Sequence, residues 1–341
     1  MNKILILKND RVGDLFHSLD GINAIIQQNK DSHIEIVLSN ITNNFNFLFK
    51  INNFNVSVSY FNYRLNFFEK LQLLKKLLFN NYTKIYILSP KNFYFFLPLF
   101  FKSKYYAITV INRGKFRPIN YLKKKLYKFC CNNRDNKKKN SSINFLIKKL
   151  CIEKSSLIEN SLNLNPSTSL IFKKNLSFIN DFVLIHYKDF IFKKNSLKLL
   201  DFFELVNFLK KFNKKIIITS DIGDYSYHNS FLSKYPFINF SNGISNSDQT
   251  SSVCYCHNIS GSDLFKLITQ SYVVISPHGA LTVMGAYLNK NIIDIFDQNV
   301  NLNSFREFKP STKAKYNFLI LRSDLNKNLL KFDKILKSYL R

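Results

Sequence analysis

Lys3-Ile4-Leu5-Ile6-Leu7, followed by Asn9-Asp10-Arg11-Val12-Gly13-Asp14, is the stretch on which the fold turns. A short apolar run bounded by polar residues predicts a strand buried on both faces, as in a parallel sheet. Behind it Val12, Leu15, Leu19, Ile22 and Ile26 recur at helical intervals, with Asp10 near the start, so a helix over residues 12–27 is expected. The turn between them has neither the spacing of a dinucleotide fingerprint nor that of a P-loop. It is a tight turn in which Gly13 permits close backbone approach and Asp14 projects from the first helical turn. An Asp in that place is commonly no more than a helix-start residue.

Outward from this unit the pattern repeats. Residues 33–38 and 84–88 carry the same strand signature and residues 68–79 read as a helix, so strand and helix alternate through the first half. Residues 123–129 and 143–150 are expected as helices, with a polar, lysine-rich loop at 132–142 between them. Residues 160–174 mix Asn, Ser and Pro166 without periodicity and read as a linker. The alternation then restarts: strands at 182–186, 215–219, 238–240, 272–276 and 292–296, helices at 199–212, 261–271 and 281–288. That order predicts a second parallel sheet. Residues 324–340 form a last helix, expected to pack back on the first domain. The fold class is α/β, with two Rossmann-like domains at residues 1–165 and 175–322 and a terminal helix at 323–341.

At 341 residues two domains can each bury a core, and 46% hydrophobic with 16% aromatic residues excludes a disordered chain. A formal net charge of +28 calls for a polyanionic partner: nucleic acid, anionic headgroups or phosphorylated substrates. Thirteen of the basic residues fall between Lys102 and Lys139, against one acid, Asp135. Aromatics lie among them, but no standard RNA-binding motif does. Five cysteines without a C-x-x-C fit reduced thiols. Cys254-Tyr255-Cys256-His257 would point its thiols to opposite faces of a strand, so no metal site is expected. No apolar run reaches the roughly 18 residues of a membrane span. The longest aromatic run, residues 93–101, is expected as core, with a membrane-facing patch as the second reading.

A second strand-to-helix turn stands out at Val273-Val274-Ile275-Ser276-Pro277-His278-Gly279-Ala280-Leu281-Thr282. A buried strand runs into Pro and His and then a small Gly-Ala pair that opens an apolar helix. Such a turn offers backbone amides to a phosphate, with His278 and the Ser276 and Thr282 hydroxyls as further donors. The alternative is a structural histidine that caps the turn. In doubly wound sheets both turns lie where ligands bind, at the carboxyl ends of strands.

Taken in order, these stretches resemble glycosyltransferase family 9, the heptosyltransferase-like enzymes. Lys3–Asp14 matches the family's opening strand and Arg-x-Gly-Asp turn, and residues 259–268, 273–280 and 286–296 follow its C-terminal pattern. The resemblance implies a GT-B fold of two facing Rossmann-like domains, with the acceptor on the first and a nucleotide-sugar donor on the second, and no metal. Asp14 matches the family's catalytic Asp, a general base. The donor would be held by the loop after the second domain's first strand, here Tyr187 and Lys188 continuing to Lys193 and Lys194, and by Ser220 and Asp221 at the next turn. Departures are clear. The family's Asp-Thr-Gly turn is replaced by His278-Gly279-Ala280, Val283 stands where a later His would fall, and the chain has no Trp.

The function so implied is inverting, metal-independent transfer of a sugar from a nucleotide-sugar donor, with ADP-heptose a candidate, to a lipid-linked saccharide such as a lipopolysaccharide core. No cofactor beyond the donor is expected. A cytoplasmic enzyme peripheral on the inner membrane, drawn there by residues 102–139, fits that reading. The alternatives are a basic nucleic-acid-binding protein and an inactive GT-B binding module.

Overall fold

The computed structural model describes residues 1–50, 54–89, 91–108, 131–135 as backbone, 147, 166–223, 225–246, 251–300 and 309–340. The chain forms two compact units, Met1–Leu164 with Arg306–Lys309, and Asn165–Phe305 with Pro310–Arg341.

The first unit is a parallel sheet of β1 (Lys3–Lys8), β2 (His33–Ser39), β3 (Val56–Phe61), β4 (Tyr82–Ile87), β5 (Lys104–Ile108) and β6 (Cys131–Asp135), in the order β3-β2-β1-β4-β5-β6. β1 is central, and Ile4, Leu5, Ile6 and Leu7 are all buried. Each such side chain contributes about 1.5–3 kcal/mol when removed from water. The single helix expected over residues 12–27 is two, α1 (Val12–Phe16) and α2 (Leu19–Gln28). Ser18 causes the break: its hydroxyl donates to the Asp14 carbonyl at 2.8 Å, competing with the helical ladder.

The second unit is a parallel sheet of β7 (Phe182–Tyr187), β8 (Ile216–Ser220), β9 (Phe237–Asn239), β10 (Val253–His257), β11 (Ser271–Pro277), β12 (Asn291–Phe296) and β13 (Tyr316–Ile320). Their order is β13-β12-β11-β7-β8-β10-β9. Cys254 and Cys256 lie on β10 and both are buried, because helices cover both faces of the sheet there. The last helix, Leu325–Leu340, contributes Phe332, Leu336 and Tyr339 to the second unit's own core, beside Leu319 of β13. No helix among the described residues is long and apolar enough to cross a membrane. Of the basic stretch, only Lys102 and Lys104 have described side chains, so the partner assigned to residues 102–139 and the helices at 123–129 and 143–150 lie essentially outside the described residues.

Each sheet has one topological switch point. In the first unit the chain leaves β1 toward β2 and returns on its other side as β4; in the second it leaves β7 toward β8 and returns on the other side as β11. Ligands of open α/β sheets bind in the crevice at such points. The turns after β1 and β11 both stand there.

Candidate functional site

At the first switch point the turn after β1 is built from side chains that look inward. Asn9 is buried, with its Nδ2 donating to the Asn62 carbonyl at 3.2 Å and its Oδ1 accepting from the Tyr94 hydroxyl at 2.6 Å. The Lys91 ammonium, from the loop after β4, donates to the Asn9 carbonyl at 2.6 Å and also bonds the Tyr63 carbonyl. Lys8, almost fully buried, spends its ammonium on Asp10 Oδ2 at 2.9 Å and on the Leu88 carbonyl at 3.2 Å. Ser89 donates to the same Asp10 oxygen at 2.6 Å. Burial pushes the Asp10 carboxyl up, but the Lys8 charge, the Ser89 and Lys8 hydrogen bonds and the Lys91 charge outweigh it and hold the pKa below the ordinary value.

Asp14 is different. It is half-buried in the first turn of α1 beside Gly13, and no ion pair joins it among the described residues: Lys8 is committed to Asp10, and Arg11 is exposed. Burial raises its pKa, and the charge of Asp10 adds to that; Lys8 and Arg11 oppose it without cancelling it. The turn therefore holds one carboxylate neutralised for structure and a second left with proton affinity to spare.

At the second switch point β11 delivers Pro277, His278 and Gly279 to the start of the helix Ala280–Tyr287. Asp294, on the neighbouring β12, is completely buried beneath them. Its Oδ2 lies 2.7 Å from His278 Nδ1 and accepts from the Tyr316 hydroxyl at 2.6 Å, while Oδ1 accepts from the Thr282 hydroxyl at 3.1 Å. Burial raises the pKa of Asp294 in spite of these three partners. When the carboxylate is ionised it holds the proton on His278 Nδ1, which leaves Nε2 as the ring nitrogen for a ligand. The imidazole also stacks on Phe296, at 4.6 Å between centroids.

This arrangement corrects part of the sequence reading. Ser276 is buried and its hydroxyl donates to the Pro277 carbonyl at 2.9 Å, and Thr282 is spent on Asp294, so neither hydroxyl faces a phosphate. His278 is structural through Nδ1, and its side chain is 25% exposed. Gly279 and Ala280 remain partly accessible at the helix start, where first-turn amides lack intrahelical acceptors. Asp294 was missed as a site residue. Its signal was a lone acid inside Ile292-Ile293-Asp294-Ile295: a charge buried in an apolar strand has to be partnered.

Beside the same switch point, beyond β7 and β8, lies a pocket of about 540 Å³ lined by Asp189, Phe190, Lys193, Lys194, Asp221, Tyr225 and Tyr227. Its size suits a nucleotide-sized ligand. Lys193 pairs with Asp189 at 2.7 Å and Lys194 with Asp297 at 3.0 Å, both with ammonium groups reachable from solvent. Asp221 faces His186 Nε2 at 3.5 Å. Burial would raise its pKa, but the His186 hydrogen bond and charge, with Lys188 and His228, lower it, so the group stays anionic. Tyr225 and Tyr227 stack at 5.2 Å with rings 7° from parallel. Two expected donor residues are placed elsewhere. Tyr187 is core, its ring against Phe202 at 4.8 Å and its hydroxyl donating to Asp189 at 2.8 Å. Ser220 is tied to the Tyr255 hydroxyl at 2.7 Å. Among the described residues no three His, Cys, Asp or Glu side chains are grouped to hold a metal ion.

No family model and no curated protein matches the sequence. Solved structures do resemble the chain along its length. An ADP-heptose lipopolysaccharide heptosyltransferase II of E. coli is 14% identical, with a TM-score of 0.65, covering 99% of this chain and 100% of its own. A glycosyl transferase family 9 protein of Veillonella parvula is 9% identical, with a TM-score of 0.68, covering 99% and 97%. A UDP-GlcNAc 2-epimerase of Methanocaldococcus jannaschii is 11% identical, with a TM-score of 0.57, covering 98% and 92%. At these identities the likeness establishes the fold, which is GT-B. That fold carries transferases and an epimerase alike, so function has to be argued from the site.

Proposed function

We propose that the protein is a glycosyltransferase that moves a sugar from a nucleotide-sugar donor to a hydroxyl of a lipid-linked saccharide, inverting the anomeric carbon. The observation that carries the reading is Asp14: a half-buried carboxylate at a switch point, outside any ion pair among the described residues, with its pKa raised, while its neighbour Asp10 takes the available lysine. A group so placed is a general base, since catalytic efficiency rises as its pKa approaches the working pH.

In the reaction the Asp14 carboxylate takes the acceptor hydroxyl's proton as that oxygen forms a bond to the anomeric carbon. The bond from that carbon to the donor's phosphate oxygen breaks, its electron pair leaves with the nucleoside diphosphate, and attack from the opposite face inverts the centre. The pocket of the second unit offers what the leaving group needs. Lys193 and Lys194 line it, Lys188 is near enough to act on Asp221 by charge, and the Gly279–Ala280 amides at the second switch point supply further donors. These cations perform the charge neutralisation that a metal performs in other transferases. Asp221, kept anionic, is suited to accept from ribose hydroxyls. ADP-heptose is the first donor to try, because the heptosyltransferase neighbour is described by it.

The test is calorimetric titration with ADP-, UDP- and GDP-sugars, followed by release of nucleoside diphosphate in the presence of lipid-linked acceptors. Asp14→Asn should slow transfer by about 10²–10⁴-fold with donor affinity within a factor of two. Turnover at the parental rate in that variant would sink the assignment.

A further inference from the structure

The first unit has a second surface that transfer chemistry leaves unused. The helix Phe67–Phe79 is fixed by a capping box between Asn66 and Glu69, and turns Leu73 and Leu77 into the core. At about 100° per residue, Phe67, Phe68, Leu71, Lys75, Leu78 and Phe79 share a different arc, and all six are exposed. Phe68 is 79% and Phe79 76% accessible. A helix that only faced water would carry polar groups there.

A neighbouring segment does the same. Residues 92–100 turn Tyr94, Phe95 and Leu97 inward and leave Phe96, Leu99 and Phe100 outward, Phe100 at 73%. Both segments cross the sheet in the same direction, from β3 to β4 and from β4 to β5, so right-handed connections set them on one face. Leu73, Leu77, Phe95 and Leu97 accordingly share one core cluster, and the Lys70 ammonium lies 6.0 Å from the Phe93 ring. Isolated exposed apolar residues are ordinary; an aromatic set on two adjacent elements is not.

Charge selects the occupant. Lys75 lies in the arc itself, Lys70 reaches the Phe93 ring, and Arg64 and Lys102 flank the two segments in sequence, both exposed. The acid among them, Glu69, is occupied by the amides of Asn62 at 2.6 Å and Asn66 at 2.9 Å. A second copy would bring another +28 against the first. An anionic bilayer accepts both features, aromatic rings at the acyl boundary and lysines reaching back to headgroups. We infer that the face made by Phe67–Phe79 and residues 96–100 docks the first unit on an anionic lipid surface, lying on it rather than crossing it. This goes beyond the transfer reading and does not depend on it.

The experiment is co-sedimentation of the full chain with phosphatidylcholine vesicles, pure or containing about 30% phosphatidylglycerol. Binding to the anionic vesicles at least about tenfold stronger than to the neutral ones is expected, weakening as salt shortens the screening length. The triple variant Phe68→Ser/Phe79→Ser/Phe100→Ser should lose at least about tenfold in partitioning, since interfacial binding scales with buried apolar area. Its melting temperature and donor affinity should be unchanged, so a failure here is distinct from a failure of the transfer reading. Phe178→Ser/Leu200→Ser, exposed on the second unit, should bind vesicles like the parent. Equal sedimentation of the triple variant and the parent would overturn the inference. So would a parent that ignores anionic vesicles and runs as a dimer that the triple variant breaks, since a second copy would then own the face.

Discussion

The turns after β1 and β11 occupy equivalent places in their sheets and use their acids in opposite ways. After β1 one aspartate, Asp10, is neutralised by buried Lys8, and that frees the next, Asp14, from any ion pair among the described residues. After β11 the buried acid, Asp294, has three partners of its own and exists to orient His278. The first turn thus presents a proton acceptor held ready for chemistry. The second presents helix-start amides beside one imidazole held in a fixed orientation. The lesson is that position at a switch point marks a site, while the pairing of each carboxylate tells what the site is for.

The hardest way to break this contrast is Asp10→Ala. Lys8 would stay buried with no counter-charge, so a loss of about 3–5 kcal/mol is expected on denaturant unfolding. Because the folded Asp10 pKa is depressed, its contribution is present above the unfolded value and disappears as pH falls through the folded one. Asp294→Ala should follow, at about 2–4 kcal/mol, because Thr282, Tyr316 and His278 all lose their acceptor. Donor affinity should fall with it, since His278 is no longer held.

Asp14 should respond with the reverse sign. Its folded pKa is raised, so its contribution is full below the unfolded value and is lost as pH rises through the folded one. Asp14→Asn should therefore unfold at a higher temperature than the parent at neutral pH while losing transfer. In the parent, the acid limb of the kcat/KM profile should lie above the range of an ordinary aspartate, and a limb below that range would remove the reason for calling Asp14 the base. The smallest effect belongs to Lys193→Ala. Its pair with Asp189 is 74% exposed on the lysine side, so stability should move by less than about 1 kcal/mol, with donor affinity weakened severalfold.

Much of the fold was legible because central strands of parallel sheets are continuous apolar runs, as in Ile4–Leu7 and Val183–Ile185. Strands without such a run were not: β3 and β13 at the edges, and β5 and β10 inside the sheets, where tyrosines and cysteines replace the aliphatic residues, although the edge strand β9 was expected. β3 reads Val-Ser-Val-Ser-Tyr-Phe and is only partly buried, and β13, Tyr-Asn-Phe-Leu-Ile, is likewise half covered, so neither has the continuous signature. Asp14 and His278 could be singled out because turn residues at strand ends are read locally. Ser276, Thr282 and Tyr187 could not be judged that way. Whether their hydroxyls face a ligand or the interior depends on the Pro277 carbonyl, Asp294 and Asp189, and only the fold brings Asp294 to Thr282.

The break at Ser18 bears on how tolerant this architecture is to change. Because α1 ends there, five residues carry Asp14, anchored by Leu15 and Phe16 in the core, and α2 is mechanically a separate piece. Most of α2 is core, and only Asp20, Gln27 and Gln28 escape full burial, so drift along that helix is confined to those three positions and leaves the carboxylate on an anchor of its own.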